Sequence, residues 1–113
     1  MNKNSLLKDV VYQENRPSVK VLMESPFTKE ISIAFKPGQV MKEHQTPFPI
    51  VVHIIEGTID FGIQGEVHHL EKGDIISLEG GIPHDLKALT TSIVRLTLST
   101  LDESKRVKNV ANQ

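Results

Sequence analysis

Five histidines are the side chains in this sequence best suited to metal binding or to proton transfer near neutral pH. No cysteine is present, which excludes disulfides, thiolate ligands and thiol nucleophiles together. Strand alternation sorts the histidines by face. In residues 84–89, His84, Leu86 and Ala88 share one side while Asp85 and Lys87 share the other, so His84 is expected to point inward with the apolar set. His44 and Thr46 are two residues apart and should look the same way; in a regular strand Val40 and Lys42 join them, with Met41, Glu43 and Gln45 opposite. His68 and His69 are adjacent, so on a strand they face opposite sides and cannot share one mononuclear site. His53 alternates away from Ile50 and Ile54 and reads as an interface histidine outside any pocket.

The elements that must position these side chains are strands. Residues 30–36 set Ile31, Ile33 and Phe35 against Ser32, Ala34 and Lys36, the period-2 pattern of a half-buried strand. Residues 58–63 repeat it with Ile59, Phe61 and Ile63 inward, and residues 92–98 do so with Val94, Leu96 and Leu98. Less regular runs at 19–23, 50–56, 66–70, 74–78 and 84–89 bring the count to about eight short strands. Turn signals at Pro37-Gly38, Gly57, Gly65, Gly73 and Gly80-Gly81 separate them. Strands at this spacing indicate an all-β closed barrel or jelly roll, which also protects strand edges. The tail, 101–113, is charged and without alternation, and reads as a short helix or a loose end.

At 113 residues the chain has room for one core: a single domain over 1–113, with its core at about 18–100 and an N-terminal arm at 1–17. An apolar share of 38% with 24% charged residues is that of a globular chain. A formal charge of -1 gives no electrostatic footprint for nucleic acid. Residues 1–16 lack the apolar stretch of a signal peptide, and the run 50–55 is far too short to span a bilayer, so a soluble cytoplasmic protein with no membrane partner is expected. In that run Ile50, Val52 and Ile54 form one apolar face, and Val51, His53 and Ile55 a second that needs a cover. A further layer, the N-terminal segment or a second copy would serve, and a homodimer is favoured.

Residues 38–57 and 73–84 resemble the two-motif signature of the cupin superfamily. Its first motif has a glycine, five residues, a His-x-His pair, a nearby Glu or Gln and a later glycine; this chain has Gly38, His44, Thr46 in place of the second histidine, Ile50 at the acidic position, and Gly57. The second motif resembles Gly73-Asp74 followed by Gly81-Ile82-Pro83-His84, with Glu79 where a proline usually begins it. The resemblance implies a cupin-type jelly roll or β-barrel. It leaves His44 and His84 as the two metal ligands retained from four, a degenerate site implying at most a weakly bound divalent transition metal.

The leading expectation is a stand-alone pocket protein, binding or sensing a small molecule. Ile50, Val52, Ile54, Phe61, Leu86 and Leu96 would line the pocket, and His44, His84 and Thr46 would orient the ligand. Two enzyme classes stand beside it. One is a metal-dependent oxygenase or isomerase using His44 and His84; the other is a metal-free acid-base enzyme acting on a sugar or keto acid. Phosphate loops, nucleophile elbows and zinc-protease motifs do not occur in the sequence.

Overall fold

A computed structural model describes residues 1–99 of the protein. In chain order the strands are β1 (Ser18–Glu24), β2 (Thr28–Phe35), β3 (Val40–His44), β4 (Ile50–Glu56), β5 (Thr58–Ile63), β6 (Glu66–Glu71), β7 (Ile75–Leu78), β8 (His84–Ala88) and β9 (Ser92–Ser99). All pairings are antiparallel. A large sheet runs β1-β2-β9-β4-β7 and a small one β3-β8-β5-β6. The long-range pairing of β2 with β9 and β3 with β8 makes this the expected all-β jelly roll. The described residues hold nine strands instead of about eight. The helix-or-loose-end expectation for 101–113 falls outside them.

The additional strand is β3, which alternation obscured. Met41 pairs with Leu86 and His44 with His84, so three steps on β3 match two on β8. One extra residue is therefore bulged out, and side chains on either side of a bulge swap phase. Met41 packs against the core while Val40 is exposed, which corrects the strict alternation that grouped Val40 with His44.

The core lies between the sheets. Phe35, Ile54 and Val94 enter from the large sheet, and Ile59, Phe61 and Leu86 from the small one. Full burial of each such side chain contributes about 1.5–3 kcal/mol. The link from β4 to β5 is the single residue Gly57, at φ +86°. A Cβ at Gly57 would run into the Ser92 side chain and the Thr91 carbonyl.

Strand β2 is buried on both faces, where alternation predicts a half-buried strand. Its outer residues Ser32 and Ala34, with Ile93 on β9, are covered. Residues 5–11 of the N-terminal arm lie over Ser32 and Ala34, bounding a small cavity lined by Ser5, Leu6 and Val10. Polar contacts moor the arm: Asn4 Nδ2 donates to Leu22 O at 2.9 Å, Gln39 Nε2 to Gln13 O at 2.7 Å, and Lys36 pairs with Glu14. The arm thus covers part of β2 and reaches Arg95 of β9, whereas Val51, His53 and Ile55 on β4 stay half-buried. Among the described residues no helix is long and apolar enough to cross a membrane.

Glu30 is a carboxylate buried on this outer face. It accepts from Arg95 Nε at 3.0 Å and Thr97 Oγ1 at 2.5 Å. Burial pushes its pKa up, but hydrogen bonds from Thr97, Arg95 and Thr28, with the Arg95 charge, outweigh that and hold it below the usual carboxylate range. The pair therefore adds stability that is complete above the ordinary glutamate pKa and is lost as pH falls through the depressed one.

The glycine geometry gives a graded expectation. Gly57→Val combines steric collision with a positive φ and should cost about 3 kcal/mol or more, whereas Gly73, at φ +91° in open space, should cost about 1–2 kcal/mol as valine. Urea denaturation of both variants checks this, and equal losses would contradict the packing at Gly57.

Candidate functional site

His44 closes β3 and His84 opens β8, and the antiparallel ladder sets them directly opposite one another. Their ring centroids are 4.4 Å apart in an edge-on arrangement, with planes at 61°. His84 is 3% exposed, while His44 is half-buried toward the end of the barrel. Each ring is fixed by the same local device. His44 Nδ1 lies 2.8 Å from Lys42 O, and His84 Nδ1 lies 3.0 Å from Ile82 O, in both cases the carbonyl two residues earlier.

A carbonyl only accepts, so each Nδ1 carries the proton. In the neutral ring the lone pair then belongs to Nε2. Among the described residues neither Nε2 has a hydrogen-bond partner. A buried polar atom without a partner costs about 1–3 kcal/mol.

The surroundings hold these rings still. Phe61 stacks on His84, with centroids 5.5 Å apart and planes at 9°, and Ile63 is the register partner of His84 on β5. Thr46 is half-buried just past β3, and its hydroxyl donates to Phe48 O at 2.9 Å. Two loops, 45–49 and 79–83, cap this end together. Gly81 N donates to Thr46 O at 2.7 Å, and Gly80 passes so close to the Pro47 carbonyl that a Cβ there would collide with it.

The structure brings His44, His84 and Phe61 into contact. Ile50, Val52, Ile54 and Leu86 are buried in the core, and Leu96 is half-buried in register with Val52. The other histidines stand apart. His53 is on the outer face of the large sheet, in register with Arg95 and Ile75. His68 is in register with Phe61, and His69 bonds Asp60 at 2.9 Å from the opposite side; both are about half exposed.

Sequence reasoning missed the backbone partners, Lys42 O and Ile82 O, and the loop contact at Gly80. The Gly80-Gly81 pair opposite the Pro47 and Pro49 loop was the available signal of a close backbone approach.

A cupin-domain family profile matches residues 32–100, more than half of the chain. The chain belongs to the cupin family. Solved cupins bear this fold out. An RmlC-like cupin protein from Desulfovibrio desulfuricans is 25% identical with a TM-score of 0.81, over 88% of this chain and 96% of that one. KdgF from Halomonas sp. is 23% identical with a TM-score of 0.71, over 76% and 80%. An RmlC-like cupin from Shewanella frigidimarina is 17% identical with a TM-score of 0.74, over 87% and 88%. No curated protein sequence matches the chain at comparable significance.

Among the described residues, the donor set of this cupin does not fit a resident metal ion. The described residues contain no cluster of three or more His, Cys, Asp or Glu side chains able to hold one. Two imidazoles are short of the three protein ligands a catalytic ion normally takes, and Ile50 offers no donor where the family motif expects a carboxylate or amide.

Proposed function

We propose that this cupin is a binding or sensing module that takes a small organic molecule at its histidine end. The observation that carries the reading is His84: a ring 3% exposed, anchored through Nδ1, whose Nε2 is left without a partner. Buried polar atoms are nearly always paired, so an unpaired one marks a place for an incoming group. His44, His84 and Thr46 are the polar contacts of the pocket, and Ile50, Val52, Ile54, Phe61, Leu86 and Leu96 form its apolar wall. The wall and the histidines belong to one domain with its core at about 18–100.

The reading sets an expectation for metals. Two imidazoles without a third strong donor should carry substoichiometric metal through purification, and chelation should barely alter stability. Added Ni²⁺ should raise the melting temperature of the parent by a few degrees through mass action, and lose that effect in His44→Ala and in His84→Ala but keep it in His68→Ala. Near-stoichiometric iron or manganese that resists chelation would replace the binding reading with the oxygenase or isomerase alternative.

We also propose, on a separate observation, that the protein is a homodimer. Val51, His53 and Ile55 are left half-buried beside the exposed Ile75, next to a face the N-terminal arm already covers elsewhere. A second copy would remove this apolar strip from water. Sedimentation should give a dimer at micromolar concentration that Val51→Lys weakens and Thr58→Lys does not; a monomer throughout would remove the argument.

A further inference from the structure

Building on the pocket reading, we infer that the ligand is an uncharged vicinal diol on a compact apolar body, held by its two hydroxyl protons on Nε2 of His44 and Nε2 of His84. The tautomers decide this. With both Nδ1 protons committed to backbone carbonyls, the rings meet the pocket as two hydrogen-bond acceptors. Two acceptors cannot bond each other, so rings 4.4 Å apart need donors from a third party.

Two polar side chains beside the rings, Thr46 and Glu66, add acceptors. The Thr46 hydroxyl spends its proton on Phe48 O. Glu66, in register with Ile63 and so in the same cross-strand row as His84, is a carboxylate with His68 at 3.6 Å. The cation at the matching end of the large sheet is Lys29, in register with Leu98 and through it with Ile50, and its charge is met by Glu24 at 3.6 Å. A carboxylate or phosphate would present only acceptors to two imidazole nitrogens that are themselves acceptors. That argues against the keto-acid class. Adjacent hydroxyls satisfy both imidazoles, while half-buried Ile63, the register partner of His84, offers the ligand body apolar contact.

The test uses the metal-stripped, full-length protein in EDTA under nitrogen, with the ring resonances of His44 and His84 followed by NMR. Two matched probe sets are titrated: catechol, guaiacol and benzoate; and cis-1,2-cyclohexanediol, cyclohexanol and cyclohexanecarboxylate. Each diol should shift both rings, and bind about three- to tenfold more tightly than its partner with one hydroxyl masked or missing. The carboxylates should leave the rings unshifted. His84→Phe should bring the diol and its partner to equal affinity, and His44→Phe, at the less buried position, gives the same comparison if the first variant does not fold. If guaiacol and cyclohexanol match the diols while shifting the same rings, the pocket stands and the diol assignment falls. Tightest binding by the carboxylates would overturn the assignment in favour of an anion. If no probe moves either ring at millimolar concentration, the pocket reading falls and takes the assignment with it.

Discussion

The antiparallel register that sets His44 opposite His84 is the constraint on which the site depends. Direct cross-strand partners place their side chains on the same face at close range, so the pairing of β3 with β8 brings the two rings together with no help from a ligand. The bulge between Met41 and His44 is what makes this compatible with a packed interior. Without it, an inward His44 would put Val40 and Lys42 on the core side and turn Met41 to solvent. One inserted residue lets Met41 fill the core and His44 face His84 at once. The carbonyls of Lys42 and Ile82 then fix which nitrogen of each ring is left for chemistry.

The rest of the fold insulates that pair. Phe61 closes one face of His84, and the two loops joined at Thr46 and Gly81 cap the end of the barrel. On the far side of the large sheet, the N-terminal arm covers Ser32 and Ala34, while Glu30 joins β2 to β9 through Arg95 and Thr97. Glu30 is buried while Arg95 is partly exposed, so losing Arg95 or Thr97 would strand a desolvated carboxylate, and the contact holds the two strands in register. Strand β9 is also the neighbour of β4, so that pairing bears on the buried face of Ile50, Val52 and Ile54.

Much of the fold was legible in the sequence because alternation is a direct imprint of a two-layer sheet. Strand β5 was read at its observed limits because Ile59, Phe61 and Ile63 at period 2 leave little choice of face, and β4 because its apolar run ends at the Gly57 turn. The inward setting of His84 followed from Leu86 and Ala88 in the same way. Strand β3 was hard to see because a bulge breaks the very periodicity by which strands are recognised. The burial of Ser32 and Ala34 was illegible for a different reason: the segment that covers them is an irregular arm, and nothing local in a strand announces a distant cover. Backbone carbonyls have no sequence letter of their own, so the tautomer of each histidine could be read only from coordinates.

Both imidazoles, when neutral, hold their proton on Nδ1 and leave Nε2 bare. Long-range ¹H–¹⁵N correlation spectra of the metal-free protein, at a pH where exposed histidines are neutral, read this directly. His44 and His84 should each show an Nδ1 shift of the protonated type and an Nε2 shift of the bare, pyridine-like type, unlike the averaged tautomers expected of exposed His68. A protonated Nε2 on either ring would contradict the account, because that ring would then face its partner as a donor and the two histidines would satisfy each other.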